Sequence, residues 1–409
     1  MLHKIWLSFI LSAFVATCWR VFVDGDLGSF EVVMGAVSDM ARTSVNIAIG
    51  LIGLLAFWLG IFKVAENAGL IAKFSRVLEP FLRRIMPDIP KGHPAIGSIT
   101  MNMSANILGL DNAATPFGIK AMQDMQSLTP KKDTLTNSQI LFLVLNTSSV
   151  TLFPIGVFVY RAEQGAAAPT DVFIPILLAT SASTLVGLFV TCAIQRINLF
   201  NRVVVTYLVG IFSLLTAIIL YFSTLATAQL SEQSSLIANF ALFLFIIVVL
   251  LAGYRKQKNT YELFVEGAKQ GFDVAISIIP YLLAMLVAIA MLRASGVMTY
   301  VTDGVAYMVA AVGFDTRFVD AIPNALMKPL SGSGARALMI ETMQHHGADS
   351  FAGRLASVLQ GSTETTFYVL AVYLGAVGVK YSRYAVGCCL AADAGGIFTA
   401  IVVSYWFFG

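Results

Sequence analysis

The stretch LQGSTETTFYVL (359–370) places Gln360, Ser362, Thr363, Glu364, Thr365 and Thr366 almost side by side between apolar runs. A carboxylate there is costly, about 2.5–3.5 kcal/mol at the centre of a membrane helix. A second cluster, NMSANILGLDNAATPFG (102–118), supplies Asn102, Ser104, Asn106, Asp111, Asn112 and Thr115. LNTSSVTLFP (145–154) adds Asn146, Thr147, Ser148, Ser149 and Thr151, and PLSGSGARA (329–337) adds Ser331 and Ser333 beside Gly332 and Gly334. Hydroxyls, carboxamides and freed carbonyls are hard oxygen ligands, suited to Na⁺ or to a hydroxyl-bearing solute. A short helix that starts inside the membrane also turns its positive end toward anionic groups.

Each cluster has a plainer alternative. Ser and Thr in membrane helices bond back to their own helix or join helices for about 0.6 kcal/mol. That explains a lone Thr better than it explains six polar residues in the seven positions 360–366. Glu364 could form a structural ion pair with Arg336 or Arg354, and Asp111 could cap a hairpin tip. The SGSG run alone would also permit close helix packing. His93, His345 and His346 read as surface residues, and Asp393 as a secondary candidate.

The elements that must position these residues are membrane helices. The chain has 409 residues, 57% hydrophobic and 12% charged, about half the charged fraction of a soluble protein, near 25%. Apolar runs place spans at about 5–23, 43–62, 139–160, 172–195, 203–223, 236–253, 274–292, 351–377 and 384–407. The first reads as an uncleaved span. Two Gly-, Asn- and Ser-rich stretches, 95–122 and 320–343, are only half apolar and carry Pro116, Pro323 and Pro329. Broken backbone at membrane depth needs protein or a water-filled cavity around it, so both read as re-entrant hairpins. The four cysteines sit in apolar segments without metal-ligand spacing. P-loop, H-E-x-x-H and G-x-S-x-G motifs are absent, which argues against an enzyme. The net charge of +3 reflects basic residues placed for topology and implies no nucleic-acid partner.

The sequence also repeats. LNTSSVTLFP aligns with LQGSTETTFY (359–368), VAENAGL (64–70) resembles MLRASGV (291–297), and a Gly-Ala pair precedes the first core span of each half. Nine Lys/Arg in 63–133 against four in 293–350 put the first stretch in the cytoplasm and the second outside. The expected fold is therefore an all-α polytopic membrane protein of two inverted-topology repeats. Each repeat, 1–198 and 199–409, holds a re-entrant helical hairpin and a polar-centred broken span. Such symmetry with matched broken segments points to a secondary transporter's central site.

HPAIGSITMNMSANILGLDNAATPFGIKAMQDM (93–125) with LVLNTSSVTLFP (143–154) closely resembles spore maturation protein A. YELFVEGAKQGFDVAISIIPYLLAMLVAI (261–289), MKPLSGSGA (327–335) and SFAGRLASVLQGSTETTFYVLAVYLGAVG (350–378) resemble spore maturation protein B. The resemblance covers essentially the whole chain as a fusion of the two, within the nucleoside-recognition or Gate group. That group is related to concentrative nucleoside transporters and to the ferrous-iron transporter. The resemblance implies a multi-pass protein of the bacterial inner membrane, and homo-oligomeric assembly. It also implies that Asn146, Ser148 and Ser149 match the Asn-x-Ser-Ser lining a solute and sodium site. The transporters' Glu-Ala-Pro hairpin is replaced here by Asn112, Ala113 and Pro116, with Asp111 adjacent, a departure at the position of ribose recognition. The GTPase and metal-handling cysteines of an iron transporter are missing.

The expectation is an ion-coupled transporter of a small polar solute, a nucleoside-like molecule being one candidate, with Na⁺ or H⁺ as coupling ion and no other cofactor. Glu364 and Asp111 would carry the coupling charge. The competing class is a membrane scaffold or regulator that senses a solute without moving it.

Overall fold

The structure is a computed structural model describing residues 2–109, 111–129, 133–148, 150–256 and 259–409. The side chains of Leu2, Asp111, Asn112 and Ala113 are outside that description. The described residues form helices and no strand beyond one isolated bridge, Thr134 with Tyr381. In order they are α1 (Leu2–Phe22), α2 (Ser29–Asn67), α3 (Leu70–Ile85), α4 (Pro94–Ile107), α5 (Asp111–Ser127), α6 (Asn137–Ser148), α7 (Ile155–Glu163) and α8 (Phe173–Gln195). Then come α9 (Arg202–Ser223), α10 (Thr227–Arg255), α11 (Thr260–Ala294), α12 (Val297–Ala311) and α13 (Ile322–Met327). The chain closes with α14 (Gly332–His346), α15 (Phe351–Ser362), α16 (Thr366–Val377) and α17 (Ala385–Phe408). Helices α1, α2, α8, α9, α10, α11 and α17 are long and apolar enough to cross a bilayer. The chain is an all-helical, multi-pass membrane protein.

The order of elements from α2 to α8 recurs from α11 to α17. A very long helix comes first, 39 residues in α2 and 35 in α11. Each is followed by a left-handed glycine corner, Gly69 at φ +70° and Gly296 at φ +87°. Glycine takes that conformation without the Cβ clash other residues meet. A shorter helix, a packed helix pair, two short helices and a last long helix follow in both halves. The spans expected at 139–160 and 351–377 are thus each two helices, α6 with α7 and α15 with α16. Twelve residues of α6 or α15 rise only about 18 Å, too short to cross alone.

Matching helices pack against each other and run antiparallel. Gly60 of α2 faces Phe264 of α11, Gly267 lies against Leu59 and Lys63, and Gly271 lies against Ala56. Rising numbers on one helix thus meet falling numbers on the other. The same holds for α8 and α17, where Gly187 meets Ala392 and Ser183 meets Gly396. Small residues at both crossings let the backbones approach closely, which in lipid replaces the hydrophobic drive that water would supply.

Adding a side chain at these crossings must separate the helices. Gly271→Leu is expected to lower stability by about 1–3 kcal/mol, the usual cost of overpacking. Gly53→Leu, at an exposed position on α2 with open space around it, is expected to be neutral. Thermal melts of the two variants in detergent would check the pair.

Candidate functional site

The first break follows α6, which ends at Ser148; α7 begins after Pro154. The peptide groups released there find new partners. Leu152 N–H donates to the Ile107 carbonyl at 2.8 Å. The Ser148 carbonyl accepts the hydroxyls of Thr180 and Thr184 at 3.2 and 3.1 Å. Gly109, at φ +75°, sits so close that a Cβ would lie 2.9 Å from the Phe153 carbonyl oxygen. The second break, between Ser362 and Thr366, is held in the same way. Phe367 N–H donates to the Pro329 carbonyl at 2.9 Å, and a Cβ on Gly332 would lie 2.6 Å from Thr365 Oγ1. In each half the helix pair, α4–α5 or α13–α14, presses a glycine onto the break and supplies a carbonyl to it.

The two breaks also bond to each other, Glu364 N–H donating to the Thr147 carbonyl at 2.8 Å. Beside this contact lies a cavity of about 340 Å³, within the range of about 300–1,000 Å³ usual for small-molecule sites. Thr151, Gln360, Thr363, Glu364 and Thr365 line it, with Trp58, Phe62 and Tyr160 as aromatic wall. It extends to Lys63 and Glu66, of which Glu66 is exposed and Lys63 pairs with Glu266 at 3.0 Å.

Other expected site residues lie off this cavity. Asn106 Nδ2 donates to Asn146 Oδ1 at 2.9 Å, and Tyr373 donates to the same oxygen at 3.4 Å. Asn102 Nδ2 donates to the Ala114 carbonyl at 2.7 Å, tying α4 to α5. The hydroxyls of Ser104, Thr147, Ser148 and Ser362 bond back to Thr100, Val144, Val144 and Leu359 in their own helices. These buried hydroxyls satisfy themselves locally and are not part of the cavity wall. Ser331 caps α14, accepting from Gly334 N–H at 3.0 Å, and lies 3.3 Å from the Ser333 hydroxyl. Thr115 is half-buried on α5, away from the cavity, and Thr366 donates to Asp393 at 2.7 Å. Ser149 and the side chains of Asp111 and Asn112 lie outside the described residues.

Glu364 makes no ion pair and no side-chain hydrogen bond among the described residues. Arg354, one partner considered for it, is held instead by Asp171 at 2.7 Å. Arg336, the other, lies over the Tyr160 ring at 5.3 Å and itself lines the cavity. Lys328 and Gln270 line it too. The sequence reading missed Lys328, Gln270 and the cavity role of Arg336, although charged side chains flanking SGSG at membrane depth were the available signal.

A buried charge network begins at Arg161, the residue after Tyr160 of the cavity wall. Arg161 and Asp171 are both fully buried and pair at 2.9 Å. Arg161 also reaches Asp349 at 3.2 Å and the Ala348 carbonyl at 2.8 Å, and the Ser231 hydroxyl donates to Asp171 at 3.1 Å. Breaking such a pair leaves an uncompensated buried charge. Asp171→Asn is therefore expected to cost about 3–5 kcal/mol of stability, whereas Glu364→Gln, which removes no partner, is expected to change it by under about 0.5 kcal/mol. Thermal unfolding of both variants in nanodiscs would compare them.

Comparison with known proteins agrees with this architecture. The Gate family, described as nucleoside recognition, matches residues 48–164 and 275–380, each range running from a long helix through the break that follows it. Spore maturation protein A of Bacillus subtilis (strain 168) is 44% identical over 156 residues, 38% of this chain and 80% of that protein. Spore maturation protein B of the same organism is 45% identical over 161 residues, 39% of this chain and 89% of that protein. Two matched segments covering more than half of the sequence, each ending at a broken helix, identify the chain as a member of the Gate, nucleoside-recognition family.

Proposed function

We propose that this chain is an ion-coupled secondary transporter of a small polar solute across the inner membrane of a bacterium. The observation that carries the reading is the bond between the breaks, Glu364 N–H to the Thr147 carbonyl, beside a cavity with oxygen-bearing side chains. Interrupted helices meeting at the centre of a repeated fold form the usual site of such transporters. In this scheme the two halves are inverted repeats and α4–α5 and α13–α14 are re-entrant hairpins. The antiparallel packing of α2 with α11 and of α8 with α17 supports the inversion, since equivalent helices then cross the membrane in opposite senses.

Thr151, Gln360, Thr363 and Thr365 would bind solute hydroxyls or amides, and the aromatic wall would take a flat ring, which suits a nucleoside-like molecule. Arg336 and Glu364 offer charges of both signs to the solute or its ion. Reorientation would open the cavity to one side of the membrane at a time.

Two measurements test this. In a Cys18→Ser background, Lys91→Cys and Gln344→Cys, both at exposed positions, are expected to react with a membrane-impermeant thiol reagent from opposite sides. Labelling from one side would remove the inverted topology. In sealed proteoliposomes, a labelled solute from a broad polar panel is expected to accumulate under an imposed Na⁺ or H⁺ gradient, and Glu364→Gln to return accumulation to the leak level. Absence of gradient-driven flux across the panel would assign the chain to the scaffold class instead.

A further inference from the structure

The two halves differ at one point where their packing otherwise matches. In the first half Thr184 of α8 donates its hydroxyl to the Ser148 carbonyl at 3.1 Å. That carbonyl is among the last of α6, which no turn of helix follows. The contacts between α8 and α17 define the counterpart of Thr184. Gly187 meets Ala392 and Ser183 meets Gly396, and these two pairs exchange under one register. The same register matches Thr184 with Asp393, while the alignment of LNTSSVTLFP with LQGSTETTFY matches Ser148 with Ser362. A hydroxyl that donates has become a carboxyl.

Asp393 is 2% exposed and lies on a membrane-spanning helix, roughly 12 Å along α17 from its start. Its Oδ2 accepts the Thr366 hydroxyl at 2.7 Å, and its Oδ1 has no hydrogen-bond partner. Thr363, which packs on Gly396 one turn further along α17, also has an unpartnered Oγ1. The titratable groups near Asp393 are Lys328, between α13 and α14, and Cys389, one turn earlier on α17. Of the other elements packed on α17, α8 presents Ser183 and Gly187, and α6 presents Thr147 to Cys389. Helix α10 has no ionisable side chain between Glu232 and Tyr254, Arg354 of α15 is held by Asp171, and Tyr373 of α16 is turned to Asn146.

By that register Asp393 stands toward the Ser362 carbonyl as Thr184 stands toward that of Ser148, and an ionised carboxylate there sets acceptor against acceptor in a buried site, an arrangement that buried polar groups avoid. A protonated one donates there as Thr184 does to Ser148. We propose that Asp393 is a proton-binding site, its O–H donated to the Ser362 carbonyl when protonated and its charge balanced by Lys328 and the Thr366 hydroxyl when ionised. The proton is exchanged with water in the cavity that Gln360, Thr363 and Lys328 line, and only the carboxyl O–H bond forms or breaks. The inference rests on the transport reading solely in making this the coupling proton.

Infrared difference spectra of the protein in nanodiscs, titrated with pH, test it without any solute. The expected result is a buried carboxylic-acid C=O band that appears on acidification, is absent in Asp393→Asn and persists in Glu364→Gln. Thr366→Val, which removes a hydrogen bond from the same carboxyl, is expected to shift the band's frequency. Should Asp393→Asn fail to accumulate, isotope-labelled aspartate must shift the band and labelled glutamate must not. A band that survives in Asp393→Asn, that follows the glutamate label, or that responds to Na⁺ at fixed pH overturns the proposal. Flux failure with the band intact would count against the transport reading alone.

Discussion

A helix interrupted inside hydrocarbon exposes peptide N–H and C=O groups that water cannot satisfy, each costing several kcal/mol if left alone. The fold of this protein answers that requirement twice. Leu152 and Phe367 donate to Ile107 and Pro329, carbonyls of the neighbouring helix pair in the same half. Glu364 donates across the molecule to Thr147. The helix pairs cannot be deleted without orphaning the breaks, and the breaks cannot be straightened without losing the cavity. Gly109 and Gly332 are small because the chain passes within contact distance there.

The halves share this scaffold and differ in what they place on it. In the first half Asn102, Asn106 and Asn146 are neutral groups that satisfy one another, together with Tyr373 of the second. The second keeps Asn324 bonded to Ala335 at 2.8 Å, as Asn102 is bonded to Ala114, but leaves Asn324 Oδ1 and Gln360 Oε1 without donors. It also carries Lys328, Arg336 and Glu364 on the cavity wall, with Asp393 near Lys328.

Much of that architecture was legible in the sequence. Apolar runs located every long helix, the small-residue corners became Gly69 and Gly296, and the alignment of 145–154 with 359–368 located both breaks. The seven-residue polar run did place Gln360, Thr363, Glu364 and Thr365 on one cavity. What composition could not separate was a hydroxyl facing outward from one bonded to its own helix. Ser148 and Ser362 carry a hydroxyl as the lining Thr151, Thr363 and Thr365 do, and only the turn geometry decides which carbonyl they reach. Asp393 stands out little in the sequence because its match to Thr184 emerges only from the packing of α8 on α17. Lys328 enters the sequence reading only in a count of basic residues and Arg336 only in that count and as a partner for Glu364, and neither a count nor a pairing says which side chains line a cavity.

The antiparallel seam between α2 and α11 has a mechanical meaning as well. Gly267 and Gly271 bring backbone against backbone, while the Phe264 ring sits on Gly60 and Lys63 pairs with Glu266 across the same crossing. Such a contact resists parting, since every dispersion contact would be lost together, and the seated ring keys its register. Two rods keyed in this way are suited to move as one body, so rearrangement of the shorter helices would leave the central seam intact.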